Sequence, residues 1–214
     1  MTRIKVCGIR TVHDAERCVE LGVDTLGLNF WPGTPRCVSV EEAWAIRRAV
    51  GEAAVTVGLF VDVTVDEIRR VREEVGLDWV QLHGHEPPEI LDALLPRAYK
   101  AIRVPRGEGV TAAEVAQGCA RYGGDRILVD ASVAGMVGGT GQTFDWELVA
   151  EVAARRKLIL AGGITSENAE AAIETVHPWQ LDSASGVESA PGVKDIAKVR
   201  AFVEAVRRAD ERAA

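Results

Sequence analysis

Several common functions are excluded by what this chain of 214 residues lacks. Its four cysteines, Cys7, Cys18, Cys37 and Cys119, form no CxxC pair and have no histidine at zinc-finger spacing. Structural zinc is therefore not expected, and the thiols read as reduced. No uninterrupted span of about 18 apolar residues occurs, and Met1-Thr2-Arg3 runs straight into the first apolar segment without a signal-peptide core, so no membrane partner and a cytoplasmic location are expected. No GxGxxG follows the first apolar run, and GxxxxGK[ST] occurs nowhere. Dinucleotide and P-loop sites lose their support. A net charge of −7 argues against nucleic acid or an anionic lipid surface, each of which needs a cationic footprint. It leaves room for a small anionic ligand held by local donors.

What remains is ordinary globular material, 47% hydrophobic and 27% charged, enough for one large core. Runs rich in β-branched residues recur at 4–9, 25–31, 55–61, 79–82, 99–104, 126–130, 157–161 and 179–184. Between them, apolar residues fall at helical spacing, as Val12, Ala15 and Val19 or Ile68, Val71 and Val75 do. Helix starts are marked by Ser39 with Glu42, Thr64 with Glu67 and Thr111 with Glu114, which fit the capping box, and more weakly by Thr11 with Asp14. Eight strand-helix units without a long linker predict a single-domain α/β fold over residues 1–214, the (β/α)8 TIM barrel, in preference to an open doubly wound sheet.

In such a barrel the site forms at the C-terminal strand ends. Those positions carry Cys7, Asn29, Asp62, His83, Arg103, Asp130, the pair Gly162-Gly163, and Asp182. Strand alternation points Ile4 and Val6 at the helices and Lys5 and Cys7 into the barrel. A buried ammonium beside a thiol is expected to favour thiolate, although a free cysteine also serves as a small core residue. Asp130, closing an apolar strand, is a candidate general acid, because burial without a partner favours the protonated form. It reads equally well as a helix cap or a partner for an arginine, and the same choice applies to Asp182.

Ala161-Gly162-Gly163 and Ser185-Gly186-Val187 follow the seventh and eighth strands. Loops at those two places often gather backbone N–H groups around a phosphate. A third cluster, Gly138-Gly-Thr-Gly141, reads as a loop over the site. Arg36 could grip a carboxylate with both arms of its guanidinium. His83 is expected to line the pocket, while His13, His85 and His177 read as surface residues. No three histidines converge on neighbouring strand ends, so no metal is expected.

These residues together resemble one family. Lys5-Val-Cys7-Gly8, Pro35-Arg36, Gly58-Leu-Phe60-Val, Gln81-Leu-His83-Gly84, Leu128-Val-Asp130, Gly138-Gly-Thr-Gly141, Phe144-Asp-Trp146, Leu160-Ala-Gly-Gly163 and Asp182 through Ser185-Gly-Val-Glu188 are similar, in order and spacing, to the phosphoribosylanthranilate isomerases of tryptophan biosynthesis. The resemblance implies a cofactor-free Amadori rearrangement of N-(5-phosphoribosyl)anthranilate, a phosphorylated small molecule, to 1-(2-carboxyphenylamino)-1-deoxyribulose 5-phosphate. It makes Asp130 the general acid and Cys7 the general base. It puts the anthranilate carboxylate on Arg36, sugar hydroxyls on Asp182, and the phosphate on the backbone around Gly162, Gly163, Ser185 and Gly186. Two positions depart from it: Cys37 stands where an aromatic residue is common, and Ala184 where a second serine is. A histidine-pathway phosphosugar isomerase, or a dual-specificity one, would carry Asp rather than Cys at the first strand. An inactive ligand-binding barrel is the rival of a different class. Monomer and homodimer are both compatible with the sequence.

Overall fold

The computed structural model describes residues 1–105, 109–132 and 145–213. The loop reading of Gly138 to Gly141 falls outside them. Strands and helices alternate along the chain: β1 Arg3–Cys7, α1 Val12–Glu20, β2 Thr25–Asn29, α2 Val40–Val50, β3 Val55–Phe60, α3 Val65–Val75, β4 Trp79–Leu82, α4 Pro88–Asp92, β5 Ala98–Pro105, α5 Ala112–Ala120, β6 Arg126–Ser132, α6 Glu147–Arg155, β7 Lys157–Leu160, α7 Ala169–Val176 and β8 Gln180–Ser183. A short hairpin follows, β9 Glu188–Ala190 with β10 Val193–Lys194, and then α8 Ile196–Ala213. The strands β1 to β8 close in order into a parallel barrel, with β8 pairing back onto β1 through Lys5 opposite Asp182. The single-domain TIM barrel is thus the fold.

Local chemistry explains the helix starts. Ser39 and Thr111 form complete capping boxes with Glu42 and Glu114. Thr64 and Thr11 accept a bond from the third helical N–H without the reciprocal contact, so half of the motif is enough to begin those helices. Several strands stop sooner than their apolar runs. Gly8, at φ 80°, turns the chain away after Cys7, and Asn29 Oδ1 accepts the backbone N–H of Trp31 just past β2. Polar side chains at the strand ends break the ladder where the site begins.

Strand alternation divides the core into two layers. Ile4, Val6, Leu26, Leu28, Leu82, Ile127, Val129 and Leu160 pack outward against the helices, while Val57, Tyr99, Ala101, Leu128 and Ile159 fill the barrel. At the N-terminal mouth the filling is cationic and aromatic. The Arg126 guanidinium lies 3.5 Å from the Trp79 ring centre and 4.5 Å from that of Trp179, with Arg3 5.2 Å over Trp179 and Arg97 5.8 Å over Trp79. A planar cation between two indoles gains from both faces and covers their apolar area with its stem.

This mouth is remote from the strand ends that carry the polar residues, and its contribution should be to stability alone. Arg126→Ala is expected to lower the free energy of unfolding in urea by about 1–3 kcal/mol. A change below about 0.5 kcal/mol, the range of an ordinary surface substitution, would show that the stack contributes nothing.

Candidate active site

The thiol side of the site is built by β1, β2 and β8. Cys7 is 7% exposed at the end of β1, and glycine on the neighbouring strand makes its space: a Cβ at Gly27 would stand 2.7 Å from the Cys7 sulfur. Two residues earlier on the same face, Lys5 is sealed from solvent, with Nζ 2.5 Å from Asp182 Oδ2 and 3.1 Å from Gln81 Oε1. Burial alone would lower the Lys5 pKa, but the Asp182 carboxylate, supported by Cys7 and Tyr99, outweighs it and holds the ammonium charged.

The thiol does not follow the expectation drawn from Lys5. Burial pushes the Cys7 pKa above the usual thiol value, and Asp182 adds to the rise; Lys5, Lys194 and Arg36 oppose it without overcoming it. Burial is the largest of these effects, and the Lys5 charge, already paired, offsets only part of it. An ammonium in contact with a carboxylate presents little net field to a third group.

On the other side, Asp130 is 6% exposed on β6. Its Oδ2 lies 3.2 Å from His83 Nε2, so its partner is a histidine rather than an arginine or a helix N-terminus. Nδ1 of the same ring is 2.8 Å from Gln81 Nε2. Tyr99 donates its hydroxyl to Gln81 Oε1 at 2.9 Å, and Arg103 Nη2 donates to the His83 carbonyl at 2.7 Å. His13, His85 and His177 are exposed.

The two glycine turns meet over the top of β7 and β8. Gly162 and Gly163 take φ values of 85° and 75°, accessible to glycine at no steric cost. A short 3-10 turn spans Ser185–Val187. Any Cβ at Gly186 would collide with the Ile164 carbonyl oxygen, and Ser183 Oγ donates to that oxygen at 2.7 Å. The loops therefore cross in contact, with bare backbone on both.

Arg36 is not a solvated loop arginine. Its Nε and Nη2 bind Glu188 at 2.9 and 2.7 Å, leaving Nη1 and the second Nη2 hydrogen for a ligand. Gly8 lets it lie close, since a Cβ there would be 2.7 Å from Arg36 Cδ. Lys194 Nζ completes the cluster, donating to Glu188 Oε1 at 2.8 Å and to the carbonyls of Cys7 and Ala184 at 2.7 and 3.1 Å.

One open cavity gathers Cys7, Arg36, His83, Asp130 and Asp182 with Gly162, Gly163, Ser185 and Gly186, a concave site with convergent polar groups of the kind that holds a small-molecule ligand. Asn29 also reaches it, whereas Asp62 and Arg103 do not. Asp62 Oδ1 instead accepts the backbone N–H of His85. Sequence reasoning missed Gln81, Trp31 and Leu59 in the wall and Glu188 and Lys194 behind Arg36. For Gln81 a signal existed, since it shares strand parity with His83 two residues on. Among the described residues no cluster of histidine, cysteine and carboxylate side chains could hold a metal, and no helix is long and apolar enough to cross a membrane.

A thiol and a histidine-bound carboxylate facing one cavity above the strand ends define a class: a (β/α)8 barrel equipped for acid–base chemistry on a small ligand. Residues 4–205 match the family described as N-(5'phosphoribosyl)anthranilate (PRA) isomerase, and the chain belongs to that family. The N-(5'-phosphoribosyl)anthranilate isomerase of Pseudomonas fluorescens is 43% identical to it over 206 residues, 96% of this chain and 95% of that one. The crystal structure of the Thermotoga maritima phosphoribosyl anthranilate isomerase superposes with a TM-score of 0.87 at 34% identity, covering 97% of this chain and 100% of that one. A phosphoribosyl anthranilate isomerase in complex with reduced 1-(o-carboxyphenylamino)-1-deoxyribulose 5-phosphate gives 0.83 at 32% identity, with coverages of 97% and 100%.

The raised thiol pKa has a direct readout. Only the thiolate is alkylated, so the rate of Cys7 alkylation by iodoacetamide, followed on its own peptide by mass spectrometry, should climb with pH and reach half its maximum above pH 9.0, the ordinary value. A midpoint below that value would mean that Lys5, Lys194 and Arg36 outweigh burial.

Proposed function

We propose that this chain, as one catalytic domain over residues 1–214, isomerises N-(5-phosphoribosyl)anthranilate to 1-(2-carboxyphenylamino)-1-deoxyribulose 5-phosphate, the aldose-ketose step of tryptophan biosynthesis. It acts in the cytoplasm without a cofactor, and as a monomer or a homodimer. The observation that carries the reading is the meeting of Cys7 and Asp130 in one cavity with the crossed glycine loops. That arrangement fits a substrate with a phosphate at one end, a carboxylate at the other and a reacting sugar between.

Asp130 is the general acid. Its proton goes to the furanose ring oxygen as the C1–O bond breaks, and the anilino nitrogen lone pair forms the C=N bond of an iminium ion. Cys7 is the general base. Its thiolate removes the proton from C2, and the electrons of that C–H bond pass into C1–C2 as the iminium becomes an enolamine, which tautomerises to the ketone. The order of events suits a thiol with a raised pKa. Once the ring has opened, a positive charge lies one bond from the carbon to be deprotonated, which acidifies C2 and favours thiolate beside it.

The remaining side chains hold the substrate. The Oδ1 atom of Asp182 is buried and has no hydrogen-bond partner among the described residues, so a sugar hydroxyl can donate to it. Arg36, gripped from behind by Glu188, offers its end-on pair of N–H groups to the anthranilate carboxylate. His83 supports Asp130. Backbone N–H groups around Gly162, Gly163, Ser185 and Gly186 take the phosphate, so the Ala184 departure removes little. Fixing both anions places the reacting carbon between acid and base.

Purified protein added to freshly made phosphoribosylanthranilate should abolish the fluorescence of that compound; persistence of the signal would sink the activity. Cys7→Ala and Asp130→Ala should each reduce turnover by roughly 10²–10⁴-fold while the folded protein still binds inorganic phosphate, and full turnover in either variant would remove that residue's role. Gly186→Ala, which drives a methyl group into Ile164, should weaken inhibition by inorganic phosphate by about tenfold, at an overpacking cost of about 1–3 kcal/mol. Unchanged inhibition would move the phosphate elsewhere.

A further inference from the structure

Among the polar side chains of the cavity wall to which the proposed reaction gives no role, Gln81 bonds to both sides of the site. Gln81 lies on β4, buried, between the ion pair of the thiol side and the histidine of the acid side. We propose that Gln81 is a positioning residue that fixes His83 as the tautomer protonated on Nε2, and so assigns the transferable proton of Asp130 to Oδ1.

The argument is one of donors and acceptors. Lys5 Nζ has hydrogens and no lone pair, so the amide atom 3.1 Å from it must be the oxygen. The Tyr99 hydroxyl, 2.9 Å from the same oxygen, donates to it as well. With Oε1 bound by two donors, the amide cannot rotate, and its NH₂ group is the part that meets His83 Nδ1 at 2.8 Å. An NH₂ group only donates, so Nδ1 must accept and carries no proton. The proton of the neutral ring therefore sits on Nε2 and points along the 3.2 Å contact to Asp130 Oδ2.

That contact constrains the acid. With an N–H already directed at Oδ2, the carboxyl proton has no acceptor there, and it resides on Oδ1. When Oδ1 releases it, the His83 N–H remains to stabilise the carboxylate that is left. The surrounding charges do not offer a competing arrangement. Arg103 binds the His83 backbone carbonyl rather than its ring, Asp182 faces Lys5, and Lys100 is turned to Glu86 at 3.2 Å. The tautomer stands on geometry alone; the Oδ1 assignment rests also on Asp130 being the acid.

A protein with His13→Gln, His85→Gln and His177→Asn, all exposed positions, retains His83 as its sole imidazole. Long-range ¹H–¹⁵N correlation spectra of that protein should show Nε2 protonated and Nδ1 bare; a protonated Nδ1 would overturn the proposal without any change at the site. Gln81→Glu keeps the acceptor for Lys5 and Tyr99 but replaces the donor to His83 by a second acceptor. In that background the proton should move to Nδ1. Turnover should fall by tenfold or more, up to roughly the 10⁴-fold that a wrong histidine tautomer costs a serine protease triad, while KM stays within about threefold. Gln81→Met, which removes all three bonds without adding charge, should lose turnover in the same way. An unmoved proton in Gln81→Glu, or full turnover in both variants, would refute the positioning role. If the wild-type tautomer is as stated but Asp130→Ala is fully active, the tautomer survives and the Oδ1 proton falls together with the acid.

Discussion

A lysine with no access to water stands at the centre of this barrel, and its ion pair with Asp182 is the constraint on which the site depends. Lys5 and Asp182 are paired partners across the β1–β8 seam, so the contact that neutralises the charge also lies where the sheet closes. Removing one member of such a pair leaves an uncompensated buried charge, at a cost of about 3–5 kcal/mol. The pair also sets chemistry around it. It supplies the donor that pins Gln81, leaves Asp182 Oδ1 without a partner among the described residues, and opposes the lysine's effect on Cys7. Paired in this way the lysine is a scaffold, and burial keeps the Cys7 thiol above its usual pKa.

A second ionic cluster repeats the device at the rim. Glu188 on β9 receives Arg36 from the β2–α2 loop and Lys194 from β10, while the same lysine holds the carbonyls of Cys7 and Ala184. The hairpin after β8 thus ties together the thiol strand, the turn after β8 and the arginine that lines the cavity. Burial lowers the pKa of Lys194, more than Glu188 and Cys7 can raise it. Its place is secured by two carbonyls and a carboxylate, with every bond directed at a part of the site.

The legible part of this architecture is the part written in short periods. The eight strands and four of the helix starts follow from alternation and caps within a few residues, and parity alone put Lys5 and Cys7 inside. The glycines after β7 and β8 were readable because position along the barrel gives them meaning. The thiol's pKa was not, because burial in the closed barrel decides it, and the carboxylate that adds to the rise lies 177 residues from Lys5. Nor were the Arg36–Glu188 fork, 152 residues apart, and the amide of Gln81, whose orientation depends on donors from β1 and β5. Such contacts arise from closure, and no local spacing encodes them.

The barrel interior separates two demands. Its lower half is filled by Leu128, Ile159, Val57 and the arginine-indole stack, where apolar area and cation-π contact give stability and no ligand enters. Its upper half is polar, and nearly every charge there is already bound to another protein group: Lys5 to Asp182, Lys194 to Glu188, half of Arg36 to Glu188. Among the described residues, the groups left unpaired by these internal bonds include the Cys7 thiol, Asp130 Oδ1, Asp182 Oδ1, the outer edge of Arg36 and the bare amides of two glycine turns. Because the protein's own pairs hold these groups in place before any ligand arrives, little reorganisation is needed at the moment of reaction. Selectivity follows from the same economy. With the proposed roles, a molecule that enters brings an anion for the arginine, an anion for the amides and hydroxyls for the orphan carboxylate oxygen, and any other leaves a buried polar group unsatisfied.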